Sequence, residues 1–289
     1  MTHSLQWLLD QGHDDRSLYQ PECLRERVDL LDRLEEALLD ASAVATDTLL
    51  LSRAKALYES LETINRGIYA QIRADIRHGH GARSLMQWVP ASLFDQAAGF
   101  AGNGEQYDYL DALLAGVLPW PEPGDEIAAL APDMVFYQPT PARHIFDLIR
   151  RVPLDRGDVL MDLGAGLGHV PLVVSICTGA PCIGVEWENA YVTCAQQCAR
   201  TLQLGSLNFL RQDARATDLS AASVFYLYTP FTGDMLRNVL DRLEQQALER
   251  RIRVCTLGPC TAVVAGASWL QPEGVLRSDR IALFHSNRA

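Results

Sequence analysis

Three glycines stand at alternating positions, Gly164, Gly166 and Gly168, in the segment Asp158-Val-Leu-Met-Asp-Leu-Gly-Ala-Gly-Leu-Gly-His169. Glycine serves where a backbone turns sharply and a ligand approaches it closely. A dinucleotide-phosphate fingerprint is spaced G-x-G-x-x-G, and counted from Gly164 its third glycine falls on His169. The spacing here is G-x-G-x-G, with a carboxylate, Asp162, two residues before the first glycine. A carboxylate at that point repels a pyrophosphate and attracts an ammonium group. Two more acids follow. Glu186 ends the next apolar run, 22 residues after Gly164, where a carboxylate accepts ribose hydroxyls. Asp213 follows a third run and is placed to accept from an adenine amino group. Trp187, beside Glu186, offers a flat face to the adenine.

An ammonium, a ribose and an adenine without a phosphate describe S-adenosylmethionine, and that is the expected cofactor. The elements that must position these residues alternate between apolar strands and helices from residue 136 onward, the pattern of βαβ units around a parallel sheet. Candidate strands are Val159–Leu163, Cys182–Glu186, Asn208–Arg211, Ser223–Tyr228, Arg253–Leu257 and Arg280–His285. Helical stretches near 169–178, 189–203 and 233–250 separate the first five. The last strand follows a Pro272-Glu-Gly274 turn, leaves no room for a crossover helix, and is expected to pair antiparallel. Thr140 and Pro141 read as an N-cap and first-turn pair for a helix through about Arg150. The glycines and all three acids then face the carboxyl edge of one sheet, where open α/β folds bind ligands.

The first half of the chain has a different character. Leu24, Val28, Leu31, Leu34 and Leu38 recur at helical spacing, as do Leu57, Leu61, Ile64, Ile68, Ile72 and Ile76. The two stripes predict a helical hairpin joined through Ala41–Asp47, ended by Gly79 and Gly81, with shorter helices at Ala91–Ala98 and Gln106–Gly116. Residues 1–135 carry 22 Asp/Glu against 10 Lys/Arg, a net of −12, whereas residues 136–289 carry 14 against 15, a net of +1. The Pro-rich segment Pro119–Gly124 reads as a linker. The expectation is an acidic, all-α domain over 1–124 and an α/β domain over 125–289, with its core from about residue 136.

The segments from Tyr137-Gln-Pro-Thr-Pro141 through the glycine turn to Gly184-Val-Glu186 carry a resemblance. Residues from about 136 to 289 resemble the class I S-adenosylmethionine-dependent methyltransferases, and the cofactor-binding segments look like those of the non-SET histone-lysine methyltransferase family. The resemblance implies a Rossmann-like, seven-stranded, mostly parallel sheet with helices on both faces. It also implies that Gly164, Gly166 and Gly168 lie against the methionine part of the cofactor, and that Tyr137 and Thr140 help to bind its carboxylate. The chain departs from that family after the fourth strand, where an Asn-rich segment is replaced by Phe225-Tyr-Leu-Tyr228-Thr-Pro-Phe231-Thr-Gly233. It departs equally from the Asn/Asp-Pro-Pro-Tyr motif of amino-group methylases. Tyr228 and Thr229 are the candidates for the methyl-acceptor side.

Composition limits the alternatives. A net charge of −11 disfavours a nucleic-acid partner and favours a cationic acceptor, a lysine-bearing protein or an amine, with a small molecule also open. Seven cysteines without a CxxC pair, set in apolar runs, suit reduced thiols in a cytoplasmic protein. His78 and His80 have no third ligand at metal spacing, and no metal is expected. The uncharged stretch Val254–Pro272 is broken by Gly258-Pro259 and Gly266, so strand, loop and second strand is preferred to a membrane span. The sequence thus points to an S-adenosylmethionine-dependent methyltransferase of unidentified acceptor. The alternative is a catalytically silent S-adenosylmethionine-binding protein that acts through its helical domain.

Overall fold

The structure, a computed structural model, describes residues 4–42, 47–94, 106–124, 133–155 and 157–287. It divides into two compact units, one from Met1–Ala74 with Asp108–Leu118, the other from Asp75–Tyr107 with Pro119–Ala289. Helices α1 (Leu5–Asp14), α2 (Leu24–Ser42) and α3 (Thr48–Arg77) open the chain, followed by α4 (Gly81–Met86) and α5 (Tyr109–Val117). In the first unit, Leu8 and Leu9 of α1, Leu30, Leu31 and Leu34 of α2, and Leu57 and Leu61 of α3 form one buried cluster. Part of each stripe, Leu31 and Leu34 of the first and Leu57 and Leu61 of the second, therefore faces a common core. Beside it, the fully buried Arg27 guanidinium donates to the carbonyls of Leu18 and Gln20 and to Asn65 Oδ1. The hairpin connection at 43–46 and the helix expected past residue 94 lie outside the described residues.

The second unit is built on a seven-stranded sheet. After α6 (Ala142–Arg151) the chain runs β1 (Leu160–Leu163), α7 (His169–Thr178), β2 (Cys182–Glu186), α8 (Asn189–Thr201) and β3 (Leu207–Arg211). It continues through β4 (Val224–Tyr228), α9 (Gly233–Glu249), β5 (Arg253–Leu257), α10 (Cys260–Ala265), β6 (Leu270–Glu273) and β7 (Ala282–Ser286). Spatial order is β3-β2-β1-β4-β5-β7-β6, with β7 antiparallel to both neighbours. This is the expected Rossmann-like architecture. The uncharged stretch from Val254 forms β5, the short α10 and β6, and among the described residues no helix is long and apolar enough to cross a membrane.

Strand order reverses between β1 and β4, so the crevice for a ligand opens at the carboxyl ends of those two strands. Met161 and Leu163 of β1 share a buried cluster with Phe225 and Leu227 of β4 and with Leu236, Val239 and Leu243 of α9. Side chains alternate along a strand, so Asp162 and its register partner Tyr226 face the opposite side of the sheet. One expectation needs correction here. Thr140 does not cap α6: Pro141 is the N-cap residue without a side-chain bond, and the Thr140 hydroxyl lies 3.1 Å from Tyr226 Oη instead. Trp120, within the expected linker, is held against the glycine turn, where its indole N–H donates to the Leu167 carbonyl at 2.7 Å.

Candidate functional site

The turn after β1 is made by three residues in the left-handed region, Gly164 (φ 90°), Gly166 (φ 53°) and Gly168 (φ 80°). A side chain is excluded there for more than backbone reasons. A Cβ on Gly166 would stand 2.0 Å from the Tyr137 ring, and one on Gly164 would stand 2.2 Å from Pro230. The glycines thus let the protein's own loops approach the turn. Tyr137 Oη lies 3.2 Å from Nδ1 of His169, the first residue of α7. The His169 ring packs on Trp120 at 4.2 Å between centroids, and the Tyr137 ring lies 4.9 Å from Tyr191. Burial pushes His169 down to about 4, so it is neutral at physiological pH, and burial raises the Tyr137 phenol, so it keeps its proton. Trp120, Tyr137 and His169 together clamp the glycine turn.

The three acids differ in how they are satisfied. Glu186 accepts the Gly166 N–H at Oε2 and the Glu188 N–H at Oε1, both at 2.8 Å. It therefore ties the end of β2 to the glycine turn and has further lone pairs beyond those two bonds. Glu188 begins α8 as its N-cap, accepting the Ala190 N–H. Trp187, between them, is half exposed. Asp213 is held by the Arg215 guanidinium, which sets its carboxyl below the usual range. Asp162 is different. It is 4% exposed and makes no side-chain hydrogen bond or ion pair among the described residues, although its oxygens are not fully sealed from solvent. Burial first, and the Glu186 charge second, push its carboxyl well above the ordinary value. A buried carboxylate without a donor is costly unless a cationic ligand compensates it.

At the carboxyl end of β4 the structure places Tyr228 and Thr229. Thr229 has φ 38°, and its hydroxyl donates to the Leu257 carbonyl and accepts the Cys260 N–H, both at 3.1 Å. The side chain thereby stitches β4 to the end of β5. The Tyr228 ring lies beside Gly258, 3.4 Å from where a Cβ would be. The loop beyond pairs with the segment before α6: Val135 N–H donates to the Pro230 carbonyl and Thr232 N–H to the Asp133 carbonyl. Asp133 Oδ2 then accepts the Asp234 N–H at the start of α9. Phe136, next to Val135 in this segment, is 84% exposed.

Asp162, Glu186, the three glycines, Tyr137 and Thr140 therefore surround the β1 end of the crevice, with Trp187 and Asp213 at the ends of β2 and β3. Sequence reading missed Trp120 and Tyr226. Trp120 sits among prolines that read as a connection, and nothing local marks its target. Tyr226 has a signal, the two-residue alternation that sets it on the same side of β4 as Tyr228, but its pairing with Asp162 and Thr140 is long-range.

No family model and no curated protein matches this chain. Among solved structures it is similar to an RNA methyltransferase from Salinibacter ruber in complex with S-adenosyl-L-homocysteine. Identity is 22%, the TM-score is 0.43, and the match covers 52% of this chain and 92% of that one. It is also similar to the putative methyltransferase yhhF from Escherichia coli (18% identity, TM-score 0.44, covering 60% and 92%). The precorrin-6y C5,15-methyltransferase from Geobacter metallireducens matches at 14% identity and a TM-score of 0.40, covering 56% and 94%. These likenesses are distant, and the fold stands on the strand order and register above.

Proposed function

We propose that the chain is an S-adenosylmethionine-dependent methyltransferase. The observation that carries the reading is Asp162, a buried carboxylate without a donor, at the switch point and directly before a glycine turn. The residues present fit the cofactor. Asp162 would accept from the ammonium, Thr140 and Tyr137 would border the carboxylate, and Glu186 would take the ribose hydroxyls with the lone pairs its two N–H donors leave. Trp187 would cover an adenine face, and Asp213, if it turns from Arg215, would accept from the amino group. Bound there, the sulfonium supplies a methyl group that is already activated for transfer.

The chain's own contribution is then mainly positioning and exclusion of water. The clamp of Trp120, Tyr137 and His169 fixes the glycine turn. Thr229, through its bonds to the β5 end, fixes the loop at the end of β4, so its part on the acceptor side is to shape that loop, with Tyr228 beside it. His169 is packed on Trp120 with Nδ1 beside the Tyr137 hydroxyl, and the low basicity that burial gives it makes it a weak general base. The net charge of −11, carried by residues 1–135, favours by long-range steering a cationic acceptor, an amine or a lysine-bearing protein, over a nucleic acid. Such steering is screened by salt, so the rate with an amine acceptor falls as ionic strength rises.

The commitment of the Thr229 hydroxyl to two backbone partners also supports a second reading, a silent binder of the same cofactor. Incubating the protein with methyl-labelled S-adenosylmethionine and a cell extract separates the two. Label appearing in an amine or protein fraction supports the enzyme; bound cofactor with no transferred label supports the binder.

A further inference from the structure

Tyr226 lies at the centre of β4 and is 1% exposed. Its register partner on β1 is Asp162, so both side chains leave the same face of the sheet. Its hydroxyl and that of Thr140, itself 7% exposed, lie 3.1 Å apart, and among the described residues neither has another hydrogen-bond partner. Two hydroxyls carry two protons, and a single bond between them uses one. A phenol is the stronger acid, so Tyr226 is the natural donor and Thr140 the acceptor. The Thr140 proton is then left without an acceptor in a buried setting, which native structures avoid unless something else supplies one. The neighbouring Asp162 carboxylate has the opposite need, acceptor capacity without a donor.

A ligand end that presents both an ammonium and a carboxylate satisfies both at once. We propose that Tyr226 is a positioning residue that fixes the Thr140 hydroxyl, so that Thr140 donates to the carboxylate of the ligand's amino-acid end while Asp162 accepts from its ammonium. This deepens the cofactor reading above and rests on it. The chain Tyr226 to Thr140 to carboxylate has one direction, and its first member never touches the ligand.

The test compares two ligands by calorimetry: S-adenosylhomocysteine, which has the amino-acid end, and 5′-methylthioadenosine, which lacks it. Tyr226→Phe and Thr140→Val should each weaken S-adenosylhomocysteine by about tenfold and leave 5′-methylthioadenosine unchanged, while Thr140→Ser keeps wild-type affinity for both. A merely structural role for Tyr226 weakens both ligands alike, and that outcome overturns the proposal, as does unchanged S-adenosylhomocysteine binding. Should Tyr226→Phe fail to fold, Thr140→Val decides: equal affinities to wild type for both ligands overturn it. If the wild-type protein binds neither ligand, the cofactor reading itself has failed. If it binds S-adenosylhomocysteine and the variants bind it equally well, only the Tyr226 proposal has failed.

Discussion

The Glu186 carboxylate accepts two backbone N–H groups, whereas the Asp162 carboxylate, one strand away, accepts none among the described residues. The two acids feel each other's charge, and burial makes Asp162 the one that yields. Its folded-state value is raised above the unfolded value of about 3.9, so between those two values the folded chain binds more protons than the unfolded one. Stability from this group is therefore present at low pH and lost as pH rises through the folded value. Asp162→Asn removes that loss. The ligand-free variant should melt at a higher temperature than wild type at neutral pH, with the gap closing toward pH 4. A lower melting temperature for Asp162→Asn at neutral pH would show that the carboxylate has a donor in solution.

His169 has the opposite sign. Its folded value of about 4 lies below the unfolded value of about 6.5, so the unfolded chain binds the extra proton. Its contribution is complete above pH 6.5 and is lost as pH falls toward 4, up to about 3 kcal/mol. Urea unfolding between pH 4 and 7 should show this slope in wild type and a flatter one in His169→Phe. Identical slopes would mean that the imidazole is hydrated.

Glu186 and Glu188 have the same chemistry in different places. Glu186→Gln loses a charge-assisted bond to Gly166 N–H, so both ligand affinity, by about tenfold or more, and ligand-free stability should fall. Glu188→Gln weakens the cap of α8, costs about 1 kcal/mol or less, and should leave affinity within about twofold of wild type. Thermal melts with and without S-adenosylhomocysteine report both quantities.

Gly166 and Gly179 both have positive φ, but a Cβ meets the Tyr137 ring at the first and nothing within 4 Å at the second. Gly179→Ala should cost about 1 kcal/mol, the backbone strain alone. Gly166→Ala should cost about 2 kcal/mol or more, because the Tyr137 ring must also shift. Double substitution with Tyr137→Ala should recover the steric part, as a denaturation cycle would show.

Much of the sheet was legible because its strands are short apolar runs with breakers between them, and β1, β2, β4 and β5 fall close to the expected spans. The antiparallel direction of β7 was legible from the short connection before it, although Pro272 and Glu273, read as part of the turn, lie in β6 and pair with β7. Three features resisted for physical reasons. Thr140 has the chemistry of a helix cap, but a buried tyrosine 86 residues away claims its hydroxyl. Pro119–Gly124 has the composition of a linker and a unit boundary falls at its start, but nothing in it marks the indole N–H that docks on the glycine turn. The short α10 is hidden in an uncharged stretch too brief to show a helical period. In the site, residue types and spacing named the acids, and only the fold could show which of them lacks a partner.

The most direct test is a calorimetric titration of wild type and Asp162→Asn with S-adenosylhomocysteine and with NADH. Wild type should bind S-adenosylhomocysteine, Asp162→Asn should bind it at least about tenfold more weakly, and neither should bind NADH tightly. Tight NADH binding by wild type with no response to S-adenosylhomocysteine would contradict the account.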